Sequence, residues 1–386
     1  MVGGTLNGLG VIRSLSRARV PVFLLETTRQ CPAAWSRYCV FIYTPSLEGD
    51  ELIASLARLA SELGCQPVLL LTSDQSVITV SAHREQISSL YHLGLPAPDV
   101  VNALVEKSAF QRLAQQEGFS IPRGLSIYNE SDLARLGELL PPLIIKPADK
   151  RLVLAGLVER AVRVVTIAQA QALAARMLPR ASPLIVQEWV EGPDTEIFFT
   201  LFSCDRDGNI IGLFPGRKLV CSPPAVGSTA VCIAAPEAAD ELYEETRCFT
   251  KRVAYQGLGG LEFKRDARTG RFVIIEPTVG RTDWQEEIAT LCGVNLPLLA
   301  YRAALGRCKH AIYEGGSADV LWRSSKGFRL PADSLTRHLR IIDGYFRWSD
   351  LGPAIYYYGY ECFAKRVWRR AHGIIHSALE LIAREH

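Results

Sequence analysis

GGLEFKRDARTGRFVIIEPTVGR, residues 259–281, sets two apolar runs around the turn residues ARTG and carries one carboxylate on each run: Glu262 in GGLEFK and Glu276 in VIIEPT. Such a pattern reads as a β-hairpin. Strand residues alternate faces, and cross-strand neighbours lie about 5 Å apart, so antiparallel pairing can bring both carboxylates together on one face. Two unpaired carboxylates repel at that distance, and a hard divalent cation such as magnesium removes the cost. The hairpin alone leaves a second reading open, in which both are surface acids beside exposed lysines, with Lys264 as a partner.

Upstream the chain is rich in further strands: LIIKP at 143–147, RVVT at 163–166, LIVQEWVEG at 184–192, EIFFTLF at 196–202 and IIGLFPGRKLV at 210–220. Helical patterns flank the hairpin, from about 237 to 255 and from 284 to 292. Lys146 in LIIKP and Lys218 in FPGRKLV stand among apolar strand residues, where an ammonium needs an anion. A bound phosphate would serve, and so would a structural salt bridge. In LIVQEWVEGPDTEI a strand runs into a turn at Gly192 and Pro193. A crossing between two lobes there could offer adenine the backbone near Glu188 and Val190, with Asp194 accepting from ribose hydroxyls.

The first hundred residues have another rhythm. VPVFLL (20–25) and PVLLLT (67–72) read as buried parallel strands, and 50–63 between them has helical spacing behind an acidic start, which is a doubly wound α/β layout. GGTLNGLG at 3–10 is the turn from a first strand into a first helix, and only Met1 and Val2 precede it, so that strand is very short or the start codon is placed late. Its glycines miss the G-x-G-x-x-G register, which argues for a close-packing turn over a dinucleotide site. LPAPD (95–99) then leads to a helix with Lys107 near its start.

The composition suits a well-filled globular chain of two or three domains: 386 residues, 48% hydrophobic and 22% charged. A formal charge of +3, from 43 basic and 40 acidic side chains, gives no mandate for nucleic acid. Ten cysteines show neither C-x-x-C pairs nor Cys/His metal spacing, which points to a reducing compartment. No apolar run reaches about 18 residues and no signal-peptide layout opens the chain, so a cytoplasmic protein is expected. Beyond about 310 the texture changes to Tyr, Trp and Arg. The segment 356–385, with Lys365, Arg366, Arg369 and Arg370, reads as a helix that either docks on the body or meets a membrane surface or a partner.

Taken in order, VEKSAF (105–110), LIIKP, QEWVEGPD, GRKL, the Gly-Ser loop AVGSTA (225–230), LEFKRD and IEPTVGR resemble the ATP-grasp superfamily, in its carboxylate-amine ligase (carboligase-like) branch. The resemblance spans about residues 3–305. It implies an α/β (α+β) fold with three parts: a Rossmann-like domain over 1–100, an ATP-grasp domain over 101–310, and a helical extension over 311–386. The ATP-grasp domain would divide into a small lobe at about 120–190 and a large lobe at about 191–310. It also implies an ADP-forming ligase that activates a carboxylate as an acyl phosphate and couples it to an amine. ATP and Mg2+ (or Mn2+) would be the cofactors, small molecules the partners, and a homodimer the assembly.

By the same resemblance, Lys107 and Lys146 reach the nucleotide phosphates, Gln187, Glu188 and Val190 form the adenine hinge, and Asp194 is the ribose acid. Lys218, with Arg217 beside it, faces the transferred phosphoryl group. Glu262 and Glu276 are the metal carboxylates, Arg281 meets the substrate carboxylate or acyl phosphate, and Ser73 and Asp74 in LTSDQS face the substrate. Two departures stand out. Glu276-Pro277-Thr278 replaces the usual E-x-N with a hydroxyl, so Thr278 is a metal ligand directly, through water, or only a turn residue. The loop at 148–156, ADKRLVLAG, has a single glycine for phosphate cradling. A small-molecule kinase and a catalytically silent ATP-binding protein remain alternatives on the same nucleotide site.

Overall fold

The computed structural model describes residues 1–148, 159, 161–307, 313–314, 319–328 and 338–361. The N-terminal residues build a parallel sheet in which β1 (Phe23–Glu26) pairs with β2 (Val40–Tyr43), and β3 (Val68–Leu69) with β4 (His92–Leu93). Val2 bridges Leu25 on one side and Leu71 on the other, so the very short first strand joins the two halves. Helices Leu6–Ser16, Gly49–Leu63 and Asp74–Ala82 cover this sheet, and their apolar stripes supply Leu9, Ile12, Leu52, Leu56 and Val77 to the core. The expected helix at 50–63 is therefore present almost residue for residue.

A four-stranded antiparallel sheet follows, in the order β5 (Gly124–Ile127), β8 (Leu184–Glu188), β6 (Leu143–Pro147), β7 (Val162–Val164). Helix Ile167–Met177 closes one face with Ala170, Ala174 and Met177, giving this lobe its own core. Its strands and helix lie between Gly124 and Glu188. The loop over 149–156, expected to cradle phosphate, lies outside the described residues.

The large lobe is an eight-stranded sheet among the described residues. Its main path runs β13 (Phe272–Val279), β12 (Gly257–Arg265), β9 (Ile197–Cys204), β10 (Ile210–Ser222), β11 (Ser228–Ala234), β15 (Val320–Arg323), β16 (Arg340–Asp343), and β14 (Tyr313–Glu314) pairs with β10. Every residue of β9 is buried, as a central strand covered on both faces requires. Helix Ala239–Arg252 packs Leu242 and Phe249 on one side, and helix Leu296–Ala304 packs Leu296 and Leu299 on the other. Gly257, at φ +82°, lets β12 touch the N-terminal domain, since a Cβ there would lie 1.8 Å from the Gly94 carbonyl oxygen.

One expectation is corrected here. Residues 311–386 were expected to form a helical extension, but β15 and β16 continue the large sheet, with Trp322 fully buried. The cause is local: Val320-Leu321-Trp322 is a β-prone apolar run that pairs with β11, and the aromatic texture around it is core material. A helical segment does appear at Gly352–Glu361, while 362–386 lies outside the described residues.

Candidate active site

The hairpin pairs as its sequence pattern requires. Glu262 stands directly opposite Glu276, and Gly260 opposite Thr278, with a β-bulge after Glu262. Glu276 and Thr278, two apart on β13, share a face. All three side chains line one cavity of about 390 Å³ between the small lobe and the large sheet.

Lys218 comes from β10 and reaches past β9 to the same place. The residue is 2% exposed, and its ammonium is hydrogen-bonded to the Glu262 carboxylate. Burial opposes its charge, but the Glu262 carboxylate outweighs that, and the pKa lies above the ordinary lysine value. The two side chains that sequence reading assigned separately, one to phosphoryl and one to metal, form a single ion pair in this structure. Arg217 faces away and joins Glu196 at 3.3 Å and Glu237 at 3.4 Å, so it does not enter the cavity.

From the small lobe, Lys146 and Gln187 face the cavity on adjacent strands, with Lys146 Nζ 3.4 Å from Gln187 Oε1. Gln187 Nε2 donates to Gln111 Oε1 at 2.8 Å, which fixes the amide's orientation. Lys107 also lines the cavity and donates to the Pro147 carbonyl at 3.1 Å, tying helix Lys107–Glu117 to the end of β6. Glu188 and Val190 line it at the lobe crossing, where the Glu188 carboxylate accepts from Leu140 N at 2.9 Å. Ile144, Ile197 and Ile275 give this end an apolar lining.

Lys264 was read as a partner for the carboxylates and does something else. Its ammonium donates to the carbonyls of Gly192 and Pro193 at 2.7 and 2.8 Å, bracing the crossing from β12, and burial lowers its pKa. Trp189, Asp283 and Gln285 are further lining residues that sequence reading did not single out. Asp283 was legible only as one more acid after Arg281, and Trp189 only as part of QEWVEG.

Two expected contacts take another form. Asp194 is absent from the cavity lining: its two oxygens accept from the amides of Cys221, at 2.9 Å, and Ala225, at 2.8 Å. It pins the base of the Gly-Ser loop, whose Ala225, Val226, Gly227 and Ser228 face the cavity. Gly227 is required there, because a Cβ would lie 2.0 Å from the Ser222 carbonyl carbon. Ser73 caps helix Asp74–Ala82 by accepting from Ser76 N, and is likewise outside the lining, whereas Asp74 lines it. Arg281 is held by Asp74 at 2.7 Å and by Asp283 at 3.6 Å, and donates to the Thr282 carbonyl at 3.0 Å. Burial works against its charge, but these two aspartates raise the pKa above the usual arginine value. An acid of the N-terminal residues and a basic group that follows the hairpin thus meet in the cavity lining.

The first glycine turn does not resemble a phosphate site. The Glu26 carboxylate accepts from Gly4 N at 2.7 Å and so takes the position an anion would use.

No protein-family model matches this chain, and no curated protein matches its sequence. Solved structures do match in architecture. N5-carboxyaminoimidazole synthetase from Staphylococcus aureus superposes with a TM-score of 0.62 at 12% identity, covering 78% of this chain and 76% of that one. The biotin carboxylase domain of 2-oxoglutarate carboxylase from Hydrogenobacter thermophilus, in complex with MgADP, ADP and bicarbonate, superposes at 0.62 and 14% identity, covering 83% and 72%. The chain has the ATP-grasp fold. L-amino acid ligase from Bacillus licheniformis shares that ATP-grasp architecture with a TM-score of 0.59 at 16% identity, covering 81% and 76%. At these identities the likeness is one of fold, and in this chain the cavity lies between the small lobe and the large sheet.

Proposed function

We propose that the chain is an ADP-forming ligase that activates a carboxylate as an acyl phosphate and couples it to an amine. The observation that carries this reading is the meeting of Lys107, Lys146, Lys218, Glu262, Glu276 and Arg281 in one cavity, from four separate segments. Lys107 and Lys146 hold the nucleotide phosphates, and the crossing at Gln187, Glu188 and Val190 receives adenine. The Gly-Ser loop closes over the phosphates. Asp194 serves the nucleotide indirectly, by holding that loop.

The donor set fits magnesium. Two carboxylates face each other across the hairpin, a hydroxyl follows at Thr278, and all are hard oxygen donors in one cavity. Glu262 and Glu276 would hold the ion, with Thr278 next to them, and a bound magnesium supplies charge neutralisation at the β- and γ-phosphates.

The substrate carboxylate oxygen attacks the γ-phosphorus in line, the bond to the β-phosphate oxygen breaks, and ADP leaves. Lys218 lies where charge on the transferring phosphoryl group develops, and its carboxylate partner keeps it protonated throughout. Arg281, oriented by Asp74 and Asp283, meets the acyl end. An amine then attacks the acyl carbon, the C–O bond breaks, and phosphate departs while the amine loses a proton. Closure of the small lobe about the Gly192–Pro193 crossing, braced by Lys264, excludes the water that would hydrolyse the intermediate.

Screening ADP release over carboxylate and amine pairs tests this reading. ADP formation should require a carboxylate, and hydroxylamine in place of the amine should yield a hydroxamate. ADP formed with a hydroxylated substrate and no hydroxamate would mean a small-molecule kinase, and no nucleotide turnover with any pair would mean a silent ATP-binding protein.

A further inference from the structure

One buried oxygen in the cavity wall lacks a partner. Gln285 lines the cavity and is 1% exposed, and among the described residues nothing donates a hydrogen bond to its Oε1. The other buried side-chain atoms in that condition, such as Ser203 Oγ and Trp322 Nε1, belong to residues outside the lining. A buried acceptor without a donor costs folding free energy, so an amide carbonyl kept in that state at a substrate cavity suits an N–H or O–H of a ligand.

The segment that carries Gln285 is pinned on both sides to helix Leu6–Ser16. Before it, Asn7 Nδ2 donates to the Thr282 carbonyl at 2.8 Å, and Thr282 Oγ1 donates to Asn7 Oδ1 at 3.1 Å. After it, Ser14 Oγ donates to Glu286 Oε1 at 3.1 Å, and Glu287 pairs with Arg13 at 3.6 Å. Gly10 lets the helix come this close, since a Cβ there would lie 2.5 Å from Glu286 Oε2. Between these anchors the amides of Glu286 and Ile288 donate to the carbonyls of Asp283 and Gln285 at 3.0 and 3.1 Å, which winds the segment into turns. The side chain therefore leaves a fixed backbone.

The cavity's own cations are committed elsewhere. Lys218 is bonded to Glu262, Lys146 to Gln187, Lys107 to the Pro147 carbonyl, Lys264 to the carbonyls of Gly192 and Pro193, and Arg281 to Asp74 and the Thr282 carbonyl. In the ligase reading, the transferring phosphoryl group, the substrate carboxylate and the acyl phosphate all present acceptors at the reacting end, and the amine is the reactant that brings N–H donors there. A second acceptor stands two residues before Gln285. Asp283 lines the cavity with its side chain 37% exposed, lies 3.6 Å from Arg281, and adds its charge to that of Glu262 at Lys218. It is in electrostatic reach of both cations between which the nucleophile has to arrive.

We infer that Gln285 and Asp283 form the amine subsite of this cavity, Gln285 Oε1 accepting one N–H of a primary amine and the Asp283 carboxylate the other. The assignment rests on the ligase reading. A neutral primary amine has two N–H bonds and one lone pair, so holding both hydrogens leaves the lone pair to face the acyl carbon, which is an orientation effect and not a proton transfer.

The test uses Gln285→Met, which keeps the length of the side chain and removes the acceptor, and Gln285→Glu, which restores one. Kinetics are read with hydroxylamine as the probe amine, followed as hydroxamate, beside the amine that the ADP-release screen selects. Gln285→Met should raise KM for hydroxylamine by about tenfold or more while KM for ATP stays within about twofold, and Gln285→Glu should recover most of the loss. The parent's preference for hydroxylamine over N-methylhydroxylamine, which has one N–H, should shrink in Gln285→Met. Its thermal midpoint should stand at or above the parent's, because an apolar group replaces an unpartnered acceptor. A fall in midpoint with every KM rising together would make Gln285 a structural residue, and a raised magnesium requirement with a parent-like amine KM would make it metal-facing; either overturns the assignment. Carboxylate-dependent exchange of label between ADP and ATP in the parent, without amine, tests the ligase reading by itself. Exchange present, with a parent-like amine KM in Gln285→Met, overturns the subsite alone, and no exchange removes the ligase reading and the subsite with it.

Discussion

Glu262→Gln separates this account from one in which the two hairpin carboxylates are equivalent. Glu262→Gln and Glu276→Gln each remove one carboxylate charge from the cavity at almost constant volume. Only Glu262→Gln also strips the charged partner from Lys218, a residue 2% exposed. The replacing amide still accepts a hydrogen bond, so the loss is the charge-assisted part, about 1.5–3 kcal/mol. At roughly 2–4 °C per kcal/mol, its thermal midpoint should fall by about 3–12 °C. The pH dependence gives a second signature. In the parent, Glu262 outweighs burial and holds the Lys218 pKa above its ordinary value, so this lysine adds no slope to stability between pH 7 and 10. In Glu262→Gln burial, the largest cause, is opposed only by the weaker pull of Cys221 and Asp283, and the folded lysine pKa drops below its unfolded value of about 10.4. The unfolded chain then binds more protons than the folded one, so the variant regains stability as pH rises from 7 to 10. Glu276→Gln leaves the Lys218–Glu262 pair in place and should keep the parent's profile over that range. Scanning calorimetry at pH 7, 8.5 and 10, beside ADP release, reads both effects, with turnover down about 10²–10³-fold in either variant. Parent-like stability and a flat profile for Glu262→Gln would refute the reasoning.

Four further outcomes are expected. Lys146→Ala should raise KM for ATP while Lys218→Ala chiefly lowers kcat, since only the second is proposed to face the group whose charge changes; equal losses of nucleotide affinity would contradict that division. Asp194→Ala frees the amides of Cys221 and Ala225, so it should loosen the Gly-Ser loop, raising KM for ATP and speeding amide exchange at Cys221 and at 225–228, whereas a parent-like exchange pattern would sink the pinning role. Thr278→Ala should raise the magnesium concentration for half-maximal rate and Thr278→Asn should retain most activity; a titration of the Ala variant that superimposes on the parent makes Thr278 a turn residue. Glu286 is fully buried, and burial first, then Glu287, pushes its pKa up to about 8. The folded chain therefore binds its proton more tightly than the unfolded one, and stability falls between about pH 4.5 and 8, so Glu286→Gln should gain roughly 2–4 kcal/mol at pH 8 and little at pH 5.

What could be read in advance divides by the range of the interaction. The hairpin of Glu262 and Glu276 was legible because strand alternation and a short turn are local, and the small lobe because LIIKP and LIVQE are apolar runs of strand length. The Lys218–Glu262 pair was not, since it spans 44 positions and crosses an intervening strand. Asp194 misled for a similar reason: an acid after a Gly-Pro turn gives no sign that two amides, 27 and 31 positions on, will claim it. Residues 320–343 were obscured by composition, because Trp322 and its neighbours read as an aromatic extension until β11 provides a partner strand.

The central claim is that a carboxylate oxygen takes the γ-phosphoryl group in this cavity, and the most direct measurement follows that oxygen. The chain is supplied with ATP, magnesium, an amine and a carboxylate substrate labelled with 18O in its carboxyl group, and the inorganic phosphate is analysed by mass spectrometry. Attack by the carboxylate makes its oxygen the bridge of the acyl phosphate, and cleavage by the amine leaves that oxygen on phosphate. One 18O per phosphate released, with an amide formed in equal amount, is the predicted result. Phosphate without label, or transfer of the phosphoryl group to a substrate hydroxyl with no phosphate released, would contradict the account.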